Sequence, residues 1–282
     1  MYIEEWINTT NPNPFYVGIH KNSIGGGRTF LNDLKQTALI LNKNWFFGNN
    51  FLKFFLTKNY LSINGPRDIF WIVLAKILHK NILIFIQVPF KKKVKSAYSI
   101  YGILIKMFFF LIKGHVCYSS SDIGSDIKTK LLYPISLRRV KLLKKAKKKV
   151  NPIRELSFAF RFTKEIGNPS KDLNQFKKMC TLAMRDKLNV NHYGPTNNNY
   201  IKSILKDKSL ISYINFNGYH RHWQNNVNGV FVHLCNYEGF GLAPVETSLM
   251  GIPTYVNGNM PKSSWEVAPN MIKILKTDFW NI

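Results

Sequence analysis

The stretch Val230–Val256 constrains the fold of this chain more than any other. It opens on an apolar run that ends at Leu234, which is typical of a buried strand in a parallel sheet. The sequence then breaks at a glycine-rich turn and resumes as a predicted helix, with Pro244 near the first turn, where a missing N–H costs nothing. The helix ends at Gly251, and Thr254–Val256 begins the next strand. The stretch therefore predicts a strand, a glycine loop, a helix and a second strand.

Such a unit suits an anionic ligand. Backbone N–H groups at a helix N-terminus, together with the positive end of the helix dipole, bind phosphate. Glu238 follows the strand, at the edge where open α/β sheets bind ligands, and is placed to hold sugar hydroxyls. Glu246 lies about one turn into the helix, where it is placed to accept hydrogen bonds from a ribose. The spacing equally allows structural roles, in which Glu246 complements the helix dipole and Glu238 is a solvated loop charge.

The segment Glu238–Glu246, E-G-F-G-L-A-P-V-E, resembles the Glu-x7-Glu signature of the retaining GT-B glycosyltransferases, and M-G-I-P-T-Y-V resembles its continuation in that family. The resemblance implies an α/β chain of GT-B type, with two Rossmann-like domains facing a central cleft. It also implies that Glu238 contacts the transferred sugar and that Glu246 contacts the nucleotide ribose. The loop residues assigned to nucleotide-sugar binding are Gly239, Phe240, Gly241 and Leu242.

A second glycine-rich loop lies in the first half of the chain. Phe15–Ile19 predicts a strand, and a helix is predicted to begin near Arg28. The resemblance implies that the loop between them also binds the nucleotide-sugar, through Gly25, Gly26 and Gly27. Glycines in this setting also simply make tight turns.

Family members commonly carry a histidine after the strand that corresponds to Ile82–Gln87, near the acceptor. This chain has Gln87 at that position, so Gln87 is assigned to the acceptor side. A glutamine hydrogen-bonds a sugar hydroxyl, but it cannot act as a base.

The family binds the donor diphosphate with an arginine and with a lysine five residues later. Arg161 matches the arginine, whereas Ile166 occupies the lysine position, so Lys164 or Lys171 would have to substitute for it. Cations here stabilise the charge that builds on the leaving phosphate. The catalytic residues predicted from the sequence are Glu238, Arg161 and Lys164.

The chain is strongly basic, with 40 Lys and Arg against 15 Asp and Glu, a formal charge of +25. This excess indicates an anionic partner, which could be nucleic acid, anionic lipid or a phosphorylated substrate. The densest basic run lies in Tyr133–Pro152 and is typical of a solvated linker. We therefore predict an N-terminal acceptor-side Rossmann-like domain over 1–135, a basic linker over 136–152 and a C-terminal nucleotide-sugar-binding Rossmann-like domain over 153–282.

Two apolar segments do not span a bilayer, because Ile69–Val88 is interrupted by lysines and predicts a helix followed by a strand, and Gly102–Ile112 is too short. The segment Tyr98–Ile112 predicts an apolar helix flanked by lysines, which favours either a core helix or contact with an anionic membrane surface. Met1–Pro14 lacks the pattern of a signal peptide. Three scattered cysteines without a CxxC pair fit a reduced compartment. The expected location is cytoplasmic and peripheral to the inner face of the membrane.

The leading hypothesis is a retaining, metal-independent glycosyltransferase without a cofactor. Its expected partners are a nucleotide-diphosphate sugar, a polysaccharide or lipid-linked glycan acceptor and an anionic membrane. No Asp-x-Asp pair and no cluster with metal spacing is present in the sequence. The last strand is predicted at Met271–Leu275, and the helices that usually follow it in family members are not expected here. The lack of these helices, together with Ile166 and Gln87, keeps open the alternative of a GT-B-like protein that binds without catalysis. A nucleic-acid-binding protein is a further alternative, although no nucleic-acid partner is expected because no RRM, KH, helix-turn-helix or zinc-finger pattern occurs.

Overall fold

The computed structural model describes residues 1–9, 15–18, 26–63, 68–86, 116–118, 130–148, 154–160, 171–220, 222–236, 238–257 and 260–274. The chain divides into two compact α/β units. The first comprises Met1–Val140 with Pro261–Ser263, and the second comprises Lys141–Met260 with Ser264–Ile282.

The described part of the first unit is built on a six-stranded, fully parallel sheet. Its strands are Phe15–Gly18 (β1), Phe46–Gly48 (β2), Asn59–Ser62 (β3), Asn81–Ile86 (β4), Val116–Tyr118 (β5) and Lys130–Leu131 (β6). They lie in the order β2-β1-β3-β4-β5-β6. The order reverses at β1, so the topological switch point of this sheet lies between β1 and β3.

The described helices before β6 are Ile3–Thr9 (α1), Gly26–Ile40 (α2), Phe51–Leu56 (α3) and Ile69–Ile77 (α4). Helix α2 buries Phe30, Leu34 and Ala38, which are four residues apart, and this confirms the helical spacing of the sequence. It begins at Gly26 and not near Arg28, so Gly26 and Gly27 lie in its first turn. The loop between β1 and α2 is therefore shorter than predicted.

The basic run interpreted as a solvated linker is largely helical, because carboxylates elsewhere in the chain cap the helix. Helix α5 spans Leu137–Lys145. The backbone N–H groups of Leu137 and Arg138 donate to Glu4 at 2.8 and 3.0 Å. The Ser136 N–H and hydroxyl both donate to Asp33 at 2.7 Å. Acidic groups at the N-terminus and basic groups in the last turn both stabilise a helix dipole. The division between the two units falls within this helix.

The second unit contains another six-stranded, fully parallel sheet within its described residues. Its strands are Glu155–Ala159 (β7), Asn189–Tyr193 (β8), Ile214–Phe216 (β9), Val230–His233 (β10), Thr254–Val256 (β11) and Ile272–Lys273 (β12). They lie in the order β12-β11-β10-β7-β8-β9. The chain runs outward from β7 to β9 and then returns to the other side of β7. This is the Rossmann order, and its switch point lies between β7 and β10.

The described helices after α5 are Leu173–Arg185 (α6), Asn198–Leu205 (α7), Lys208–Tyr213 (α8), Leu242–Leu249 (α9) and Lys262–Val267 (α10), with a short 3-10 helix at Trp223–Asn226. Helix α6 buries Phe176, Met179, Cys180 and Ala183, a spacing of three and four residues that places one apolar stripe on the sheet. The core of this unit is therefore formed by α6, by the small helices beside it and by the buried strands β7, β8 and β10.

Several element predictions need correction. The apolar residues of Ile211–Phe216 favour a strand, but β9 begins only at Ile214, because Asp207 caps α8 by accepting from the Ser209 N–H at 2.9 Å. Residues Met1–Pro14 contain α1, and Leu131 lies in strand β6. Strand β2 and helix α3 were not predicted. The predicted helix Tyr98–Ile112 lies outside the described residues.

Candidate active site

The carboxyl ends of β7 and β10 meet at the switch point of the second sheet, and one cation is positioned there by backbone contacts. Lys171 forms an isolated antiparallel bridge with Cys235, two residues after β10. The Asn236 side chain donates to the Lys171 carbonyl at 3.2 Å. The Asp172 N–H donates to the Leu234 carbonyl at 3.4 Å. These contacts hold the start of α6 beside the loop that follows β10.

Three ionisable side chains meet at this edge. The Lys171 Nζ donates to Glu238 Oε2 at 2.9 Å, and His233 Nε2 lies 3.0 Å from the same oxygen. Lys171 Nζ also lies 3.4 Å from His233 Nε2. The side chains of Lys171, His233 and Glu238 are 15%, 5% and 20% exposed. The cluster is therefore mostly buried, but the cation and the carboxylate both retain access to solvent.

The cluster fixes the protonation of its members. Burial alone would raise the pKa of Glu238, but the charge of Lys171 and the hydrogen bonds from His233 and Lys171 outweigh it, so the pKa lies well below its usual range. Burial and the positive charge of Lys171 lower the pKa of His233, although its hydrogen bond to Glu238 acts in the opposite direction. At neutral pH the site therefore presents an ionised carboxylate and a neutral imidazole beside Lys171.

Glu238 belongs to the loop between β10 and α9, and the glycines of this loop lie close to its side chain. The Gly239 N–H donates to Glu238 Oε1 at 3.1 Å. Gly241 is the N-cap of α9 with φ of +71°, and it supplies no side-chain cap. A Cβ at Gly241 would lie 2.5 Å from Met260 Cε and 3.2 Å from Glu238 Cγ. The loop therefore needs glycine at this position, both for the left-handed backbone and for the space beside the carboxylate.

Glu246 lies in a buried environment. Its side chain is 4% exposed and accepts a hydrogen bond from the buried Gln224 side chain, which comes from the 3-10 helix before β10. A donor ribose would reach Glu246 only by sharing or displacing that contact.

Asn257 joins the chain segments that follow β10 and β11. Its side-chain oxygen accepts from the Cys235 N–H at 3.1 Å, and its amide donates to the Cys235 carbonyl at 2.8 Å. These two hydrogen bonds connect the residue after β11 to the loop after β10. It therefore fixes the path of the chain towards Glu238.

No protein-family model matches this chain, and a sequence comparison finds no match among curated proteins. The structure is nevertheless similar to solved glycosyltransferases. Anabaena Alr3699/HepE in complex with UDP and glucose is similar over 88% of this chain and 81% of its own, with a TM-score of 0.62 at 12% identity. WaaG, a glycosyltransferase involved in lipopolysaccharide biosynthesis, is similar over 95% and 88%, with a TM-score of 0.63 at 9% identity. Sucrose-phosphate synthase from Thermosynechococcus elongatus is similar over 95% and 88%, with a TM-score of 0.68 at 11% identity. The fold is GT-B.

The C-terminal GT-B domain brings together part of the predicted site. Glu238 lies five residues after the end of β10, and Gly239, Phe240 and Gly241 lead from it to Leu242, the first residue of α9. Lys171, which the sequence offered as the alternative to Lys164, is the lysine that contacts Glu238. Predicted site residues outside the described residues are Gly25, Gln87, Arg161 and Lys164.

The sequence analysis missed three members of the site, namely His233, Gln224 and Asn257. His233 is the last residue of β10, and its position at a strand end was a usable signal. No sequence signal identifies Gln224 or Asn257, because their roles depend on which strands and helices become neighbours. Within the described residues, no group of three or more His, Cys, Asp or Glu side chains is placed to hold a metal ion.

Proposed function

We propose that this protein is a glycosyltransferase that moves a sugar from a nucleotide-diphosphate sugar to a glycan or lipid-linked acceptor, with retention and without a metal. The observation that carries the proposal is the Lys171–Glu238 pair at the switch point of the second sheet. Open α/β sheets bind ligands at this point. The GT-B neighbours, which include an Alr3699/HepE complex with UDP-glucose, support a nucleotide-sugar as the ligand.

The proposed chemistry uses the cluster as it stands. The ionised Glu238 accepts hydrogen bonds from hydroxyls of the donor sugar and holds the ring in one orientation. As the bond between the sugar and the diphosphate breaks, Lys171 stabilises the negative charge on the leaving group. A new bond forms between the sugar carbon and the acceptor oxygen, and the acceptor hydroxyl passes its proton to an oxygen of the departing diphosphate. Neutral His233 supports Glu238 and keeps the carboxylate ionised.

The nucleotide part of the donor is assigned to the loop Gly239–Leu242 and to Glu246. Backbone amides at the start of α9 would bind a phosphate, because a helix N-terminus favours anions. Glu246 would bind the ribose together with Gln224. Arg161, Gly25–Gly27 and Gln87 remain proposed contacts to the diphosphate, the donor and the acceptor.

The test is release of nucleoside diphosphate from a panel of UDP-, GDP- and ADP-sugars, beside a thermal-shift screen of the same compounds. A ligand present at about 100 times its Kd stabilises a folded protein by about 2.7 kcal/mol. Lys171→Gln should lower turnover at least tenfold. Lys178→Gln is the control, because Lys178 is an exposed lysine on α6, the helix that begins two residues after Lys171. Equal turnover in both variants would remove Lys171 from the proposed mechanism.

Metal independence has its own experiment. If Lys171 supplies the positive charge at the leaving group, dialysis against EDTA should leave turnover within about twofold of the untreated protein, an equality on the order of 0.4 kcal/mol in barrier. Loss of activity in EDTA, restored by added Mg²⁺ or Mn²⁺, would contradict this part of the proposal.

A GT-B-like protein that binds a nucleotide-sugar without transferring it is the second candidate. The observation that favours it is the buried hydrogen bond from Gln224 to Glu246, because this bond occupies the carboxylate that is predicted to bind the ribose. Saturable binding of a nucleotide-sugar, with no release of nucleoside diphosphate in the presence of any glycan acceptor, would favour this candidate over the transferase.

A further inference from the structure

Helices α3 and α4 expose an unusual amount of apolar surface for short helices of a folded unit. The outward side chains of α3 are Leu52, Phe55 and Leu56, which are 68%, 50% and 74% exposed. Those of α4 are Phe70, Val73 and Ile77, which are 60%, 38% and 65% exposed. We call these six side chains the α3–α4 surface. A contiguous exposed apolar patch of this kind marks an interaction site.

The two helices form one surface because aromatic rings join them. The Phe51 ring of α3 lies 4.6 Å from the Trp71 ring of α4, and the buried Phe54 ring lies 5.0 Å from the same indole. Lys80, after α4, donates to the Phe55 carbonyl at 3.2 Å and so holds the end of α3 in place. The exposed apolar side chains are therefore presented by a packed support.

The charge around this surface has one sign. Between Asn49 and Ile86 the sequence has a single acidic residue, Asp68, which is fully buried and accepts from the Ser62 hydroxyl at 2.7 Å. The exposed lysines beside the apolar side chains are Lys53, Lys58 and Lys76. Apolar side chains ringed by lysine are the pattern of a protein surface that lies in the interface of an anionic membrane.

We propose that the α3–α4 surface inserts its six apolar side chains into the headgroup region of a membrane that contains anionic lipid. A second copy of the chain fits this surface less well, because a symmetric contact would bring the same lysines together without any exposed carboxylate to pair with them. The proposal concerns lipid at the interface and not a span across it, since no helix within the described residues is long and apolar enough to cross a bilayer. It does not depend on the proposed glycosyl transfer.

The experiment is co-sedimentation of the full chain with vesicles of phosphatidylcholine alone and with vesicles that contain about one-third phosphatidylglycerol. The parent chain should bind the anionic vesicles at least tenfold more tightly than the neutral ones. Leu52→Gln with Leu56→Gln, and separately Phe70→Gln with Ile77→Gln, should each weaken binding to the anionic vesicles at least tenfold.

The matched control is Leu39→Gln with Ile40→Gln. These side chains are 57% and 55% exposed on α2, outside the α3–α4 surface, so the control removes comparable apolar area from the same unit. It should bind anionic vesicles as the parent does. Each variant is also melted without vesicles, and the α3 and α4 variants should unfold within a few degrees of the parent.

Three outcomes would overturn the proposal. Undiminished vesicle binding by the α3 and α4 variants would show that the basic residues of α5 or another segment carry it. A parent dimer in analytical ultracentrifugation that these variants make monomeric, without vesicle binding, would assign the surface to a second copy. A large loss of thermal stability in both variants, with no vesicle binding by the parent, would show that another segment of the chain covers the surface.

Discussion

The Nζ of Lys171 lies 2.9 Å from Oε2 of Glu238, although 67 positions separate the two residues in the chain. Their coupling is the first prediction. Because both side chains are mostly buried, removal of either one should leave the other charge partly uncompensated. Lys171→Met and Glu238→Gln together should cost less than the sum of the single changes, with a coupling of about 1–3 kcal/mol in chemical denaturation. Additivity within about 0.5 kcal/mol would show that the pair is not coupled.

The same pair has a defined pH dependence. The pKa of Glu238 is depressed in the folded protein, so its contribution to stability is present above the unfolded pKa of about 4.3 and is lost as pH falls below it. The stability gap between the parent and Glu238→Gln should therefore narrow as pH falls below about 4.3.

The second prediction concerns Glu246 and Gln224. Glu246→Gln removes a charged hydrogen bond from a buried site, so it should lower the free energy of unfolding by about 1.5–3 kcal/mol. If Glu246 also binds the ribose, the Kd for the best nucleotide-sugar should rise roughly ten- to a hundredfold. Calorimetric titration beside a denaturation curve separates the two effects. Gln224→Ala is the companion variant, and unchanged nucleotide affinity in Glu246→Gln would end the ribose assignment.

The third prediction compares two glycines with left-handed backbones. Gly241 and Gly218 have φ of +71° and +68°, but a Cβ at Gly218 would meet nothing within 4 Å. Gly218→Ala should therefore show the backbone cost alone, about 1–2 kcal/mol. Gly241→Ala should cost a similar amount of stability, because the end of the flexible Met260 side chain can move aside. It should in addition lower turnover, because the new methyl would crowd Glu238.

Turnover measured beside thermal unfolding tests this comparison. Gly218→Ala serves as the control for strain at a site away from Glu238. The interpretation fails if both variants lose stability equally and both keep the turnover of the parent.

The fourth prediction is a loss of stability in mild acid. Burial lowers the pKa of His192 to about 4, with its ring 4.6 Å from the ring of Phe160. The unfolded chain therefore takes up a proton that the folded chain does not, and stability falls as pH drops from about 6.5 towards 4, by about 3 kcal/mol. Buried His233 acts in the same direction. His192→Phe should flatten this decline, measured as the free energy of unfolding between about pH 7 and pH 4.

The sequence predicted the part of the site that is local in the chain. The apolar run before Glu238, the glycines after it and the helix that follows all lie within Val230–Val256, and the structure has them in that order. Glycine and strand patterns act over a few residues, so they are readable without the fold. The alternation of strands and helices likewise predicted two α/β units.

Contacts between distant segments of the chain could not be predicted from the sequence. Lys171 becomes the partner of Glu238 only because β7 and β10 are neighbours in the second sheet, which follows from the strand order and not from spacing. Gln224 reaches Glu246 for a similar reason. Ile211–Phe216 favoured a strand by its apolar residues, but the cap from Asp207 stabilises a helix over Lys208–Tyr213. In each case a contact between distant residues or a helix cap outweighed the local secondary-structure propensity.

The carboxylate of Glu4 has a consequence for the order in which the chain folds. It lies in the first helix of the protein, yet it accepts hydrogen bonds from Leu137 and Arg138, 133 and 134 positions later. A contact of such long range forms only after the intervening chain has folded around the first sheet. During synthesis the basic helix α5 would therefore emerge with the local cap from Ser136, whose hydroxyl accepts from the Arg139 N–H at 3.0 Å, and would gain the two hydrogen bonds to Glu4 later. The amide hydrogens of Leu137 and Arg138 should thus be among the late ones to gain protection in refolding followed by hydrogen exchange, and Glu4→Gln should expose them without unfolding the sheet.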